Sequence, residues 1–133
     1  MAIKRYYSDA DNTITKAFRS NLITRGTGAN MGASDILEVF SIYAQATTSS
    51  VEAARILIKF PVDSISADRT NGDIPASGSV DFYLRLYNAK HSQTLPRKFD
   101  LVAVAVSQSW EEGFGLDMES FSDLTYDETG SNW

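Results

Sequence analysis

The chain has 133 residues, 43% of them hydrophobic and 22% charged, which suits one globular domain and leaves little room for a second. A net charge of −5, without clustered Lys and Arg, argues against a nucleic-acid or anionic-membrane binder. No cysteine is present and His91 is the single histidine, so disulfides, thiolate metal sites and a Cys nucleophile are excluded, and any Ser-His-Asp mechanism rests on that one residue.

In chain order, Lys4 and Arg5 near the start are followed by Tyr6 and Tyr7, with no apolar stretch of the kind a secretory leader carries. Residues 1–10 read as an N-terminal arm, and a protein made in a cytoplasm without an export signal is expected. Residues 24–34 hold Gly26, Gly28, Asn30 and Gly32 and read as a loop. Residues 35–46 are ambiguous: a helix capped at Ser34, with Ile36, Phe40 and Tyr43 on one side, or a strand rich in Ile, Val, Phe and Tyr. Residues 54–60 alternate, with Ile56, Ile58 and Phe60 on one face and Arg55 and Lys59 on the other, and Pro61 ends the strand. A turn-rich stretch follows over 68–79, with Gly72, Pro75 and Gly78.

Residues 80–87 alternate most clearly. Val80, Phe82, Leu84 and Leu86 share one face, and Asp81, Tyr83, Arg85 and Tyr87 the other. Residues 99–106 are nearly all apolar and are expected to be a strand covered on both faces; the apolar run 101–106 is far too short for a membrane span. Turns over 111–115 and 127–132 complete the pattern. Short strands separated by Gly, Asn and Pro loops predict an all-β sandwich. Its expected core is Ile56, Ile58, Phe60, Phe82, Leu84 and Leu86.

No motif assembles a catalytic apparatus. In the loop Gly26-Thr-Gly28-Ala-Asn-Met-Gly32 the third glycine stands one position late for a dinucleotide fingerprint, and no Lys-Ser/Thr follows as a P-loop requires. Adjacent Glu111 and Glu112 point to opposite faces of an extended chain and cannot face each other across a sugar. His91 sits in a polar loop. The acidic groups Asp9, Asp11, Asp117 and Asp123 offer hard oxygen ligands, but without EF-hand spacing; a solvated acidic surface is the preferred reading and calcium the second, with no metal or cofactor favoured. Tyr6, Tyr7, Trp110, Tyr126 and Trp133 are the candidates for a binding or assembly surface, where Trp and Tyr are enriched.

Several pieces follow one another in a recognisable order: Asn30-Met-Gly32, an apolar strand over 36–42, Ala54-Arg55-Ile-Leu-Ile-Lys-Phe60, residues 80–87, Ser109-Trp110-Glu-Glu-Gly113, and Thr129-Gly-Ser-Asn-Trp133. From about Asp11 to Trp133 this succession resembles the DNRLRE-domain family. The resemblance implies an antiparallel jelly-roll β-sandwich, a single domain akin to non-catalytic carbohydrate-binding modules, and turns the 35–46 segment to strand. Family members are usually exported; this text also resembles the form of the domain in virion proteins of marine cyanobacterial tailed phages, which need no leader.

The expected role is therefore a non-catalytic structural or attachment component of a virion. Its partners would be other virion proteins and copies of itself, with no nucleic acid and no membrane. The alternative is a carbohydrate-binding module recognising bacterial surface glycans. Family members continue past the tryptophan matched by Trp133, so the chain is either a fragment of a longer protein or a sandwich lacking a strand. In the second case residues 127–133 would form a partner-facing edge.

Overall fold

The computed structural model describes residues 3–92, 97–116 and 130–133. Three strands form one antiparallel sheet in the order β1-β3-β2: β1 (Ala10–Thr15), β2 (Ser41–Tyr43) and β3 (Val51–Lys59). The central strand, β3, is rich in Val, Ile and Leu, which fit a pleated, half-buried surface. It starts earlier than the alternation predicts because Val51 and Ala53 pair with Tyr43 and Ser41. β1 runs along its other side, from Ala10 opposite Lys59 to Thr15 opposite Ala54.

One face of β3 carries Glu52 and Ala54, both buried, then half-buried Ile56 and Ile58. The register sets Thr15 and Thr13 beside Ala54 and Ile56. The core is accordingly small and unusually polar. Among the described residues its buried apolar side chains are Ala17, Ala29, Met31, Ala54 and Ile74, and its buried polar ones include Asn12, Thr13, Thr15, Asn30, Ser50 and Glu52.

Four expectations need correction. First, Phe82, Leu84 and Leu86 are not core: they are 62%, 50% and 50% exposed, while Ile56, Ile58 and Phe60 are only half-buried. Second, residues 80–87 and 99–106 enter no ladder, and Val102 and Val104 are 85% and 78% exposed. β1 lies along one side of β3 over Ala54–Lys59 and β2 along the other over Val51–Ala53 only, and neither segment joins the side of β3 that β2 leaves uncovered. Third, within 35–46 only Ser41–Tyr43 is strand. The Glu38 N–H is spent on the Thr13 hydroxyl at 3.0 Å, which takes that stretch past a side chain instead of along a backbone ladder. Fourth, α1 (Val62–Asn71) replaces the first part of the predicted turn region.

Local signals account for that helix. Pro61 sits at its N-cap, Asp63 lies in the first turn and Arg69 in the last, each placed to suit the helix dipole. Gly72 closes it in the left-handed region (φ 81°), with its N–H on the Arg69 carbonyl. None of its residues is buried, so no apolar stripe announces it. Among the described residues no helix is long and apolar enough to cross a membrane.

Candidate functional site

The tightest part of the molecule lies where β1 meets two segments about a hundred residues away. Asn12, fully buried, spans the junction. Its Oδ1 accepts the Met31 N–H at 2.9 Å, and its Nδ2 donates to the Ser131 carbonyl at 2.9 Å. Met31 N–H is shared with the Thr13 carbonyl at 3.1 Å. Ser131 in turn bonds Glu111 twice: its N–H donates to the Glu111 carbonyl at 2.9 Å, and its hydroxyl accepts the Glu111 N–H at 3.0 Å. The Glu112 carboxylate accepts the Asp11 N–H at 2.8 Å. The outer edge of β1 is thus covered by side chains and loops, which satisfies groups an edge strand would leave open.

Asn30 is the second centre. Its Oδ1 accepts the Gly115 N–H at 3.0 Å, and Ala33 N–H donates to the Gly115 carbonyl at 2.9 Å. Backbones approach so closely here that a Cβ on Gly115 would overlap the Asn30 carbonyl oxygen. Gly113 is held at φ +80° with the Asn30 side-chain amide against it, so it is barred from carrying a side chain on two counts. Asn30 Nδ2 is buried without a partner among the described residues. The segments brought together are Asn30-Met-Gly32, Glu111-Glu-Gly113 and Gly130-Ser-Asn-Trp133, three of the motifs on which the family resemblance rests.

The C-terminal residues lie on the β3 face opposite Glu52 and Ala54. The Trp133 ring is covered by two cations, with Arg55 Cζ at 4.2 Å and Lys16 Nζ at 5.0 Å from its centroid. Gly130–Trp133 therefore make contacts with their own chain; residues 127–129 of the partner-facing edge expected over 127–133 lie outside the described residues. Beside this segment an open groove of about 420 Å3 is lined by Ser109, Trp110, Glu111, Gly130 and Ser131. A smaller crevice continues it along Leu57, Val106, Gln108 and Asn132.

The remaining candidates scatter. Tyr6 donates its hydroxyl to Asp68 of α1 at 2.7 Å, and Lys4 pairs with the same carboxylate. Bonds from Lys4 and then Tyr6 hold the Asp68 carboxyl below its ordinary range. The same arrangement raises Lys4 and Tyr6, each chiefly through its bond to Asp68. Tyr7 is exposed, as is His91, which makes no hydrogen bond or ion pair among the described residues. Asp9 is exposed. Asp11 is raised by burial first and then by the neighbouring Glu112 charge. Asp117, Asp123 and Tyr126 lie outside the described residues, and among those described no three or more His, Cys, Asp or Glu gather as metal ligands would.

Sequence reasoning missed two buried anchors. Asn12 stands beside Asp9 and Asp11 in the sequence, and nothing local marks it as buried. Glu52, 1% exposed, accepts the Phe18 N–H at 2.7 Å and ties the 16–25 loop to β3. Arg25 strengthens that tie by donating to the Lys16 and Val51 carbonyls at 2.7 and 2.9 Å. The only signal for Glu52 was a charge on the inward phase of β3.

No family model, curated protein or solved structure matches this chain.

Proposed function

We propose that the protein is a non-catalytic assembly module that works by protein–protein contact, as a structural or attachment component of a tailed-phage virion. One observation carries this reading. Two strand-patterned segments, 80–87 and 99–106, present Phe82, Tyr83, Leu84, Leu86, Phe99, Leu101, Val102 and Val104 to solvent on the single chain. Large apolar side chains exposed in such number point to an interaction site, and unpaired strand-like backbone is a template for another chain. In its assembled form the chain would complete the jelly-roll sandwich that the motif order implies. The family part of the reading draws support from the way Asn30-Met-Gly32, Glu111-Glu-Gly113 and Gly130-Ser-Asn-Trp133 meet around Asn12 and Asn30.

Mass spectrometry of purified intact phage particles tests the proposal. The chain should be present in them at fixed stoichiometry with the other structural proteins. Its absence from particles, while abundant in infected cells, would overturn the virion role.

A second reading is favoured by the groove at Trp110. An aromatic ring beside Ser109, Glu111 and Ser131 pairs an apolar platform with hydrogen-bonding groups, which suits a sugar ring. Under this reading Trp110→Ala abolishes binding of purified bacterial surface polysaccharide and leaves the fold intact.

A further inference from the structure

We infer that the partner of residues 80–87 is the same segment of a second copy of this chain, paired antiparallel about Tyr83. The inference rests on the assembly reading and names its first partner.

Side-chain register singles out this pairing. Directly opposed residues of an antiparallel pair point to the same face. With Tyr83 opposite itself, Asp81 stands opposite Arg85 of the other copy, and the two-fold axis repeats that pair. Phe82 then faces Leu84, and Val80 faces Leu86, so one face of the ribbon is wholly apolar. Centring on Phe82 or on Leu84 keeps the faces but sets each charge against an uncharged residue. Centring between two residues mixes apolar with charged positions across the strands, which the period of two forbids. Residues 99–106 lack such a code: Asp100 is their one charge, and self-pairing would leave it unmatched.

The single chain leaves these groups available. Asp81 and Arg85 are exposed, and neither has an ion pair among the described residues. Arg85 lies over its neighbour Tyr87, 5.2 Å from the ring centroid, on the face that would meet the partner's Asp81 position. A two-fold arrangement is the commonest closed symmetry, and it uses one patch on both subunits. Two strands alone make a marginal contact, so the apolar face of Val80, Phe82, Leu84 and Leu86 has to be buried as the ribbon forms.

Charge reversal in full-length protein tests the register. Asp81→Arg sets two pairs of cations against each other in the homodimer, and Arg85→Asp sets two pairs of anions. Each variant should weaken dimerisation by about tenfold or more, since two attractive pairs per dimer become repulsive. Mixed in equal amounts, the two variants should dimerise with one another as wild type does, because both cross-strand pairs are then attractive. Sedimentation velocity reads the masses, and circular dichroism of each variant alone confirms an unchanged fold. Wild type that stays monomeric, single variants that dimerise as wild type does, or a mixture that fails to form the heterodimer would each overturn the inference. The two readings fail separately. A monomeric protein still present in particles sinks the self-pairing alone, and a dimer absent from particles sinks the virion role alone.

Discussion

Two regions of the molecule invert the usual relation between polarity and burial. Around Asn12 and Asn30, polar side chains are buried and backbones touch; over 80–87 and 99–106, large apolar side chains stand in water. In the first region side chains and backbone from distant segments answer one another: Asn12 meets the Met31 N–H and the Ser131 carbonyl, and the Asp11 N–H donates to the Glu112 carboxylate. Burying polar groups is tolerable only when they are hydrogen-bonded, so this junction is specified by geometry more than by apolar area. The second region has the apolar content of a core and no cover among the described residues. On the proposed assembly reading, the contrast separates what the chain holds by itself from what it would offer to a partner.

The sharpest way to break the first region is at its closest approach. Gly115→Ala drives a methyl into the Asn30 carbonyl. Overpacking backbone that cannot move aside should cost about 3 kcal/mol, read as a fall in the denaturant midpoint. A variant with wild-type stability would mean the two backbones do not meet there.

Asn12→Ala comes next. It leaves the Ser131 carbonyl without its donor and removes one acceptor of the Met31 amide, with a loss of about 2 kcal/mol. Because Ser131 connects to Glu111, the variant should also increase exposure of Trp110, followed by fluorescence quenching. Unchanged quenching would show that the C-terminal segment docks without Asn12.

A smaller effect sharpens the electrostatics. Burial and then Glu112 raise the Asp11 carboxyl, so folding favours its protonated form. That contribution is present below the unfolded pKa and lost as the pH rises through the folded one. Asp11→Asn should therefore be more stable than wild type at neutral pH, with the advantage fading on acidification. The opposite trend would place Asp11 beside a cation.

The smallest effect lies in the second region. Val102→Ser and Val104→Ser should change folding stability by less than about 0.5 kcal/mol at micromolar protein, measured by urea denaturation. A loss of several kcal/mol would reveal these side chains as internal.

Sequence legibility followed the same division. β3 could be read because Ile56 and Ile58 alternate with Arg55 and Lys59 before Pro61. β1 could not, because Asp11 and Asn12 are residues that strands avoid; here Asn12 is kept by bonds to segments that local pattern does not reveal. α1 escaped because its short, wholly unburied sequence has caps but no stripe. The alternation over 80–87 marks it as competent for pairing, yet a period of two states which residues share a face and not which strand lies alongside. The Asn30 loop and the Glu111-Glu-Gly113 turn were legible as pieces, while their meeting depends on contacts across most of the chain.

Amide hydrogen exchange at two protein concentrations tests the central contrast most directly. Amides of Val51–Lys59 that bond to β1 should be protected equally when the protein is dilute and when it is concentrated. Amides of residues 80–87 should exchange freely in dilute protein and become protected only on concentration, as the second copy pairs with them. Protection of 80–87 at the lowest concentration would contradict the account, since those residues would then be covered by their own chain.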